Sequence, residues 1–201
     1  MISSPLCPVC GVPFLTSGGI DHPCGPCILS PPRYGAARAA LSFDGVTRDL
    51  IHRFKYDRKV HLARPLTLLT GEFLTPFVTS SAPELLLPVP LHRRRLRERG
   101  FNQAVLLGRP LAQLWGIPFV VDNLRRTRWT QPQVTLSAAQ RELNVRAAFA
   151  LADPAAVRGR RILLIDDVYT TGSTVEECSK VLRKGGVAEV YVITVARAVA
   201  S

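Results

Sequence analysis

The chain has 201 residues, 47% of them hydrophobic and 20% charged, which allows one full α/β domain and a small appendage. It carries 26 Lys and Arg against 15 Asp and Glu, a net charge of +11 and a pI near 10.2. No apolar run approaches the roughly 18–20 residues of a membrane span, and residues 1–7 show neither a basic start nor an apolar stretch. That composition excludes a membrane-spanning helix, and the expected product is soluble and cytoplasmic.

Four of the five cysteines fall within the first 27 residues, as Cys7-Pro-Val-Cys10 and Cys24-Gly-Pro-Cys27. Two such knuckles, 13 residues apart, can set four thiolates around one tetrahedral Zn²⁺ ion, as in a zinc ribbon or knuckle. A disulfide or redox role is the alternative, and a reducing cytosol argues against it. With every ligand supplied by the protein, no position stays open for water, so the metal would be structural. Ser30-Pro-Pro-Arg33 reads as a connector. The expected organisation is a metal-binding module over 1–30, a linker over 31–35 and a main domain over 36–201.

Residues 36–43 predict a strand, and Asp44 a cap for a helix running to about Tyr56, with a second helix over about 61–74. The run Leu85-Leu-Leu-Pro-Val-Pro90 predicts a buried strand that ends near Leu87 or Val89, because proline has no N–H to donate. A dense basic cluster follows at once: Arg93, Arg94, Arg95, Arg97 and Arg99. Arginine forks grip phosphates in pairs, so this cluster at the carboxyl edge of a sheet suits a pyrophosphate or a nucleic-acid backbone. A generally basic surface is the plainer reading. A helix is predicted from Asn102 with a kink at Pro110, then a strand over 117–121, a polar loop over 125–143 that includes Trp129, and a strand over 148–151.

Arg161-Ile-Leu-Leu-Ile-Asp-Asp-Val-Tyr-Thr-Thr-Gly-Ser-Thr174 carries the most chemistry. Ile162–Ile165 predict a buried parallel strand that ends in two carboxylates, Asp166 and Asp167. The segment Thr170, Thr171, Gly172, Ser173 and Thr174 then opens a helix. Glu176 and Glu177 lie in its first turn, Lys180, Arg183 and Lys184 towards its end, and Gly185-Gly186 stops it. A glycine turn opening a helix gathers N–H groups and the positive end of the helix dipole, a ready site for phosphate. Carboxylates beside it can accept from sugar hydroxyls or hold Mg²⁺ through water. Together they suit a phosphorylated sugar. A P-loop would need Gly-Lys-Ser/Thr here, and a receiver domain would need more β/α units than follow. A last strand is predicted over 190–195. Strands alternating with helices imply a mostly parallel sheet covered on both faces.

The fourteen residues 161–174 resemble the binding motif for 5-phosphoribosyl 1-pyrophosphate (PRPP) of type I phosphoribosyltransferases. The resemblance implies that Thr170–Thr174 hold the 5′-phosphate, that Asp166 and Asp167 face the ribose 2′- and 3′-hydroxyls, and that Mg²⁺ accompanies PRPP. Over nearly the whole chain, the paired cysteines, Lys55-Tyr56, Pro88-Val-Pro-Leu-His92, Arg99-Gly-Phe-Asn-Gln103, Thr130-x-x-Gln133-x-x-Leu136, Arg141-x-x-Asn144 and Ala148-Phe149 are similar to the ComF family. Members are phosphoribosyltransferase-like proteins named for bacterial competence. Membership implies a type I phosphoribosyltransferase-like α/β sheet with a small N-terminal zinc ribbon. It also implies a flexible loop over about 127–141, including Thr130, Gln133 and Arg141. Two functions are compatible with it. One is Mg²⁺-dependent transfer of a phosphoribosyl group to a nitrogen nucleophile with release of pyrophosphate, the ligand being PRPP or a nucleoside monophosphate. The other is handling of single-stranded DNA, with a competence helicase as partner and a regulatory or vestigial PRPP site.

Overall fold

The computed structural model describes residues 2–14, 18–130 and 138–199. Its centre is a sheet of four parallel strands: β1 (Ala36–Ser42), β2 (Leu85–Pro88), β5 (Arg161–Tyr169) and β6 (Glu189–Arg197), in the order β1-β6-β5-β2. The register aligns Leu87 with Leu164 and Ile165 with Ile193, so the strands reach the carboxyl edge together. Their apolar residues alternate between two cores. Ile162, Leu164, Val190 and Val192 pack on one face with Val175, Cys178 and Leu182 of α7 (Ser173–Lys184). Leu163, Ile165, Ile193 and Val195 pack on the other, against α2 (Gly45–Tyr56), α3 (Ala63–Ser81) and α5 (Gln103–Trp115). A period of two on central strands buried from both sides reads in sequence as the continuous apolar run observed.

Several elements differ from the expectation. Residues 117–121 form no full strand. Phe119 makes a single parallel bridge to Leu86, and Pro118 has no N–H with which to extend the ladder. The 148–151 strand, β4 (Phe149–Leu151), stands outside the parallel sheet and pairs antiparallel with β3 (Leu124–Arg126). The stretch read as a loop over 125–143 thus contributes to β3 and to α6 (Ala138–Val145). The second helix runs to Ser81 and contains Pro76. The arginine cluster is itself a short helix, α4 (Arg93–Arg99), capped by His92 and closed by Gly100 in the left-handed conformation.

The N-terminal segment, which includes α1 (Gly25–Leu29), docks on the outer edge of the sheet. Ala37 N–H donates to Val9 O at 2.7 Å, and a Cβ at Gly11 would lie 2.4 Å from Ala37 O. Glycine is required where the two backbones approach so closely. No helix among the described residues is long and apolar enough to cross a membrane.

Candidate functional site

At the carboxyl edge, β2, β5 and the turns after them open into a cavity of about 870 Å³. Asp166 and Asp167 follow the apolar run Ile162–Ile165 of β5, and the chain then turns through Thr170–Gly172 into α7. Gly172 has φ 80°, and a Cβ there would fall 2.2 Å from the Tyr169 hydroxyl, so only glycine allows this turn to lie on the tyrosine ring. The first N–H groups of α7 face the cavity without a carbonyl of their own helix, and Thr171 Oγ1 accepts from Ser173 N at 3.4 Å. A tetrahedral anion seated there gains N–H donors and the helix dipole together.

The two carboxylates have different environments. Asp167 pairs with Lys55 of α2 at 2.8 Å, with side chains 10% and 21% exposed. Asp166 accepts from the backbone N–H of Asp167 at 2.9 Å. Burial pushes its carboxyl up to about 7 from an ordinary 3.8; the charge of Asp167 adds to this, while Lys55 and Arg126 oppose it. A folded-state value above the unfolded one means the folded chain holds the extra proton between about pH 4 and 7. The stability this proton contributes is lost as pH rises through that window. Asp166 is therefore the carboxyl of the pair that changes charge around neutrality.

Arg94, Arg95 and Arg99 line the cavity, whereas Arg93 and Arg97 of the same helix do not. The guanidinium groups of Arg94 and Arg95 lie 4.7 and 5.5 Å from the ring centroid of Trp129, which also lines the cavity. Thr130 is buried and accepts from Arg126. Arg141 lies on α6, while its side chain and Gln133 lie outside the described residues. Sequence reasoning missed the site roles open to Lys55, Tyr56 and Gln103, which line the cavity, as does Arg126. A signal was present for Lys55, Tyr56 and Gln103: Lys55-Tyr56 and Asn102-Gln103 belong to segments that carry the family resemblance, yet neither motif states a direction in space.

The second site is the thiolate cluster. The sulfurs of Cys7, Cys10, Cys24 and Cys27 lie within 4.8 Å of one another, with Cys10 Sγ 3.6 Å from Cys24 Sγ. Four sulfurs about 2.3 Å from a tetrahedral ion would stand about 3.8 Å apart, so the set could hold a metal such as zinc. Burial opposes the charge on Cys7, but N–H donation from Cys10 and Cys24 outweighs it and brings the thiol down to about 6. Two cations flank the cluster, the half-buried Arg38 and the buried Arg197. Arg38 donates to Pro8 O at 2.9 Å, and Arg197 donates to Cys10 O and lies 3.6 Å from Cys10 Sγ. They offset the excess negative charge that four thiolates would leave around a divalent ion.

The two sites touch through one residue chain. Arg197, 7% exposed, also lies 4.2 Å over the Tyr169 ring, whose hydroxyl meets that of Tyr34 at 2.6 Å and backs onto Gly172.

Comparison with known proteins adds relatives. The family described as phosphoribosyl transferase domain matches residues 102–201. Over 190 residues the chain is 38% identical to a protein of Escherichia coli (strain K12) called DNA utilization protein YhgH, covering 93% of this chain and 82% of that one. It is 36% identical over 179 residues to competence protein F of Haemophilus influenzae, covering 87% and 78% of the two. It is 26% identical over 206 residues to competence protein ComFC of Bacillus subtilis, covering 98% and 79%.

Proposed function

The chain belongs to the ComF family of phosphoribosyltransferase-like proteins, and from that premise we propose that its carboxyl-edge cavity binds PRPP or a nucleoside monophosphate. One observation carries the reading: a carboxylate pair and a glycine-opened helix N-terminus share one cavity, at the edge where open α/β sheets take ligands. In this reading the turn Thr170–Thr174 holds the 5′-phosphate, and Asp166 and Asp167 accept from the ribose 2′- and 3′-hydroxyls. Arg94, Arg95 and Arg99 meet the pyrophosphate. Lys55, paired with Asp167 at 2.8 Å, yields to the sugar hydroxyls. Mg²⁺, when bound with PRPP, supplies further charge neutralisation. Loss of pyrophosphate to a nitrogen nucleophile needs positioning and charge neutralisation more than covalent catalysis, which these residues are equipped to supply. The test is calorimetric titration with PRPP and Mg²⁺, followed by assay of pyrophosphate release across a panel of bases and amines. Absence of binding would refute it.

The dyad predicts a pH dependence. Hydroxyls donate best to ionised carboxylates, so ribose 5-phosphate should bind more tightly as pH rises from 6 to 8, by about tenfold over that range as Asp166 titrates. A flat profile by calorimetry would mean the sugar does not use Asp166.

A second reading is favoured by the side of α4 that faces away from the cavity. Arg93 and Arg97 are exposed there, and relatives bear competence and DNA-utilization names. If they track a single strand, replacing both by Ala should reduce the log–log salt slope of DNA affinity by about 1.4, roughly 0.7 per phosphate. PRPP affinity should not change. An unchanged slope would remove this patch from any DNA role.

A further inference from the structure

Lys55 stands where a ribose-phosphate site would otherwise call for a divalent ion. Its Nζ lies 2.8 Å from Asp167 Oδ2, and the side chain is 21% exposed. Three features hold it there. Ile51 and Phe54, both buried, fix α2 on the core. Lys55 falls in the last turn of that helix, where free carbonyls favour a cation. Asp167, 7% exposed, needs a countercharge at close range.

Mg²⁺ suits this place poorly. It takes an octahedron of oxygens at about 2.0–2.1 Å, usually one or two carboxylates with waters and ligand phosphates. Here Asp167 already faces an ammonium. Asp166 accepts from the Asp167 N–H at 2.9 Å and feels the charge of Arg126, while Glu98 is engaged by Arg94 at 3.0 Å. Among the described residues, six arginines and Lys55 line the cavity against these three carboxylates. The field inside therefore favours anions and opposes a free divalent cation.

A divalent ion beside a sugar diol does two things. It offsets the carboxylates, and it takes up lone pairs of the hydroxyl oxygens. An ammonium does both, with one fixed charge and three donors. When the hydroxyls donate to Asp167, the N–H groups of Lys55 turn to the oxygens of those same hydroxyls, and the charge stays beside the carboxylate pair.

We propose that Lys55 takes the place of a divalent ion beside Asp166 and Asp167, so that a ribose phosphate binds here without metal. The proposal deepens the ribose-phosphate reading and takes its ligand from it. A Mg²⁺ ion that arrives on the pyrophosphate of PRPP belongs to that ligand, so ribose 5-phosphate is the probe.

The test uses buffer stripped of divalent ions by exchange resin, because a chelator would also attack the cysteine cluster. Mn²⁺ uptake in the absence of sugar is followed by electron paramagnetic resonance. The wild type should take up no ion at the carboxylate pair. Lys55→Gln, which keeps an N–H for Asp167, should take up about one ion per chain, and adding Asp167→Asn should remove it. In calorimetry the wild-type Kd for ribose 5-phosphate should be the same with and without millimolar Mg²⁺. For Lys55→Gln it should rise at least about tenfold in stripped buffer and recover with Mg²⁺.

Mn²⁺ uptake by the wild type that Asp167→Asn abolishes overturns the proposal. So does a wild-type affinity that Mg²⁺ raises by about tenfold, and these two measurements decide the matter even where the variant fails to fold. A Lys55→Gln variant that binds like the wild type in stripped buffer also overturns it, because Lys55 would then serve only to hold α2. Ribose 5-phosphate that binds in neither buffer overturns the ribose reading alone, while Mn²⁺ uptake confined to Lys55→Gln still upholds the place of Lys55.

Discussion

Asp166→Asn with Asp167→Asn should abolish the rise in melting temperature that PRPP or a nucleoside monophosphate gives the wild-type protein. A ligand that binds the folded state stabilises it by mass action, and that gain disappears with the affinity. Each carboxylate that accepts from a hydroxyl makes a charge-assisted hydrogen bond, worth about 1.5–3 kcal/mol. Losing two should cost at least about a hundredfold in affinity. The single variants should part company. Asp166→Asn removes the carboxyl that burial disfavours in its charged form, so the unliganded protein should gain stability above pH 7. Asp167→Asn leaves Lys55 without its 2.8 Å partner in a largely enclosed position, so stability should fall. A double variant that binds as well as wild type would show that the sugar hydroxyls lie elsewhere.

The legible part of this fold was the part in which one local pattern answers to one cause. Ile162–Ile165 and Val190–Val195 are apolar without interruption because both faces of the sheet are covered, and they became β5 and β6. Thr170–Thr174 was readable because glycine and hydroxyl residues at a strand-to-helix turn serve few other purposes. The four cysteines were readable because their spacing alone limits where the sulfurs can meet. What stayed hidden depends on contacts far apart in sequence. Nothing local tells that Phe149–Leu151 pairs with Leu124–Arg126 and leaves the main sheet. Arg93–Arg99 was read as charge, but its helical period decides which arginines face the cavity. Lys55 meets Asp167 across 112 residues of chain. Arg197 lay beyond the last predicted strand, yet it joins the two sites.

Removal of a metal from the four-cysteine cluster should therefore reach the turn at Thr170–Thr174. The native protein should contain about one zinc per chain, and Cys24→Ser should lose it. On sequence grounds the main domain would survive that loss intact, the cysteines lying in a segment of their own. The contacts of Arg197 argue otherwise. It is a buried cation whose neighbours are the Cys10 carbonyl, the Cys10 sulfur and the Tyr169 ring. Once the metal is gone the Cys10 thiol, which burial pushes up, reprotonates, and the guanidinium keeps its burial without its anion, a situation that typically costs about 3–5 kcal/mol. Relief requires Arg197 to move, which frees Tyr169 and with it the ring on which Gly172 rests. Chelation should thus lower the melting temperature of the whole chain, weaken ribose 5-phosphate binding and speed amide exchange over residues 170–174. Arg197→Met, which keeps bulk and drops the charge, should retain zinc and still weaken ribose 5-phosphate binding, because Tyr169 loses the cation that steadies its ring. Metal-free protein with unchanged ligand affinity and unchanged exchange in the turn would show that the cluster serves its own segment only.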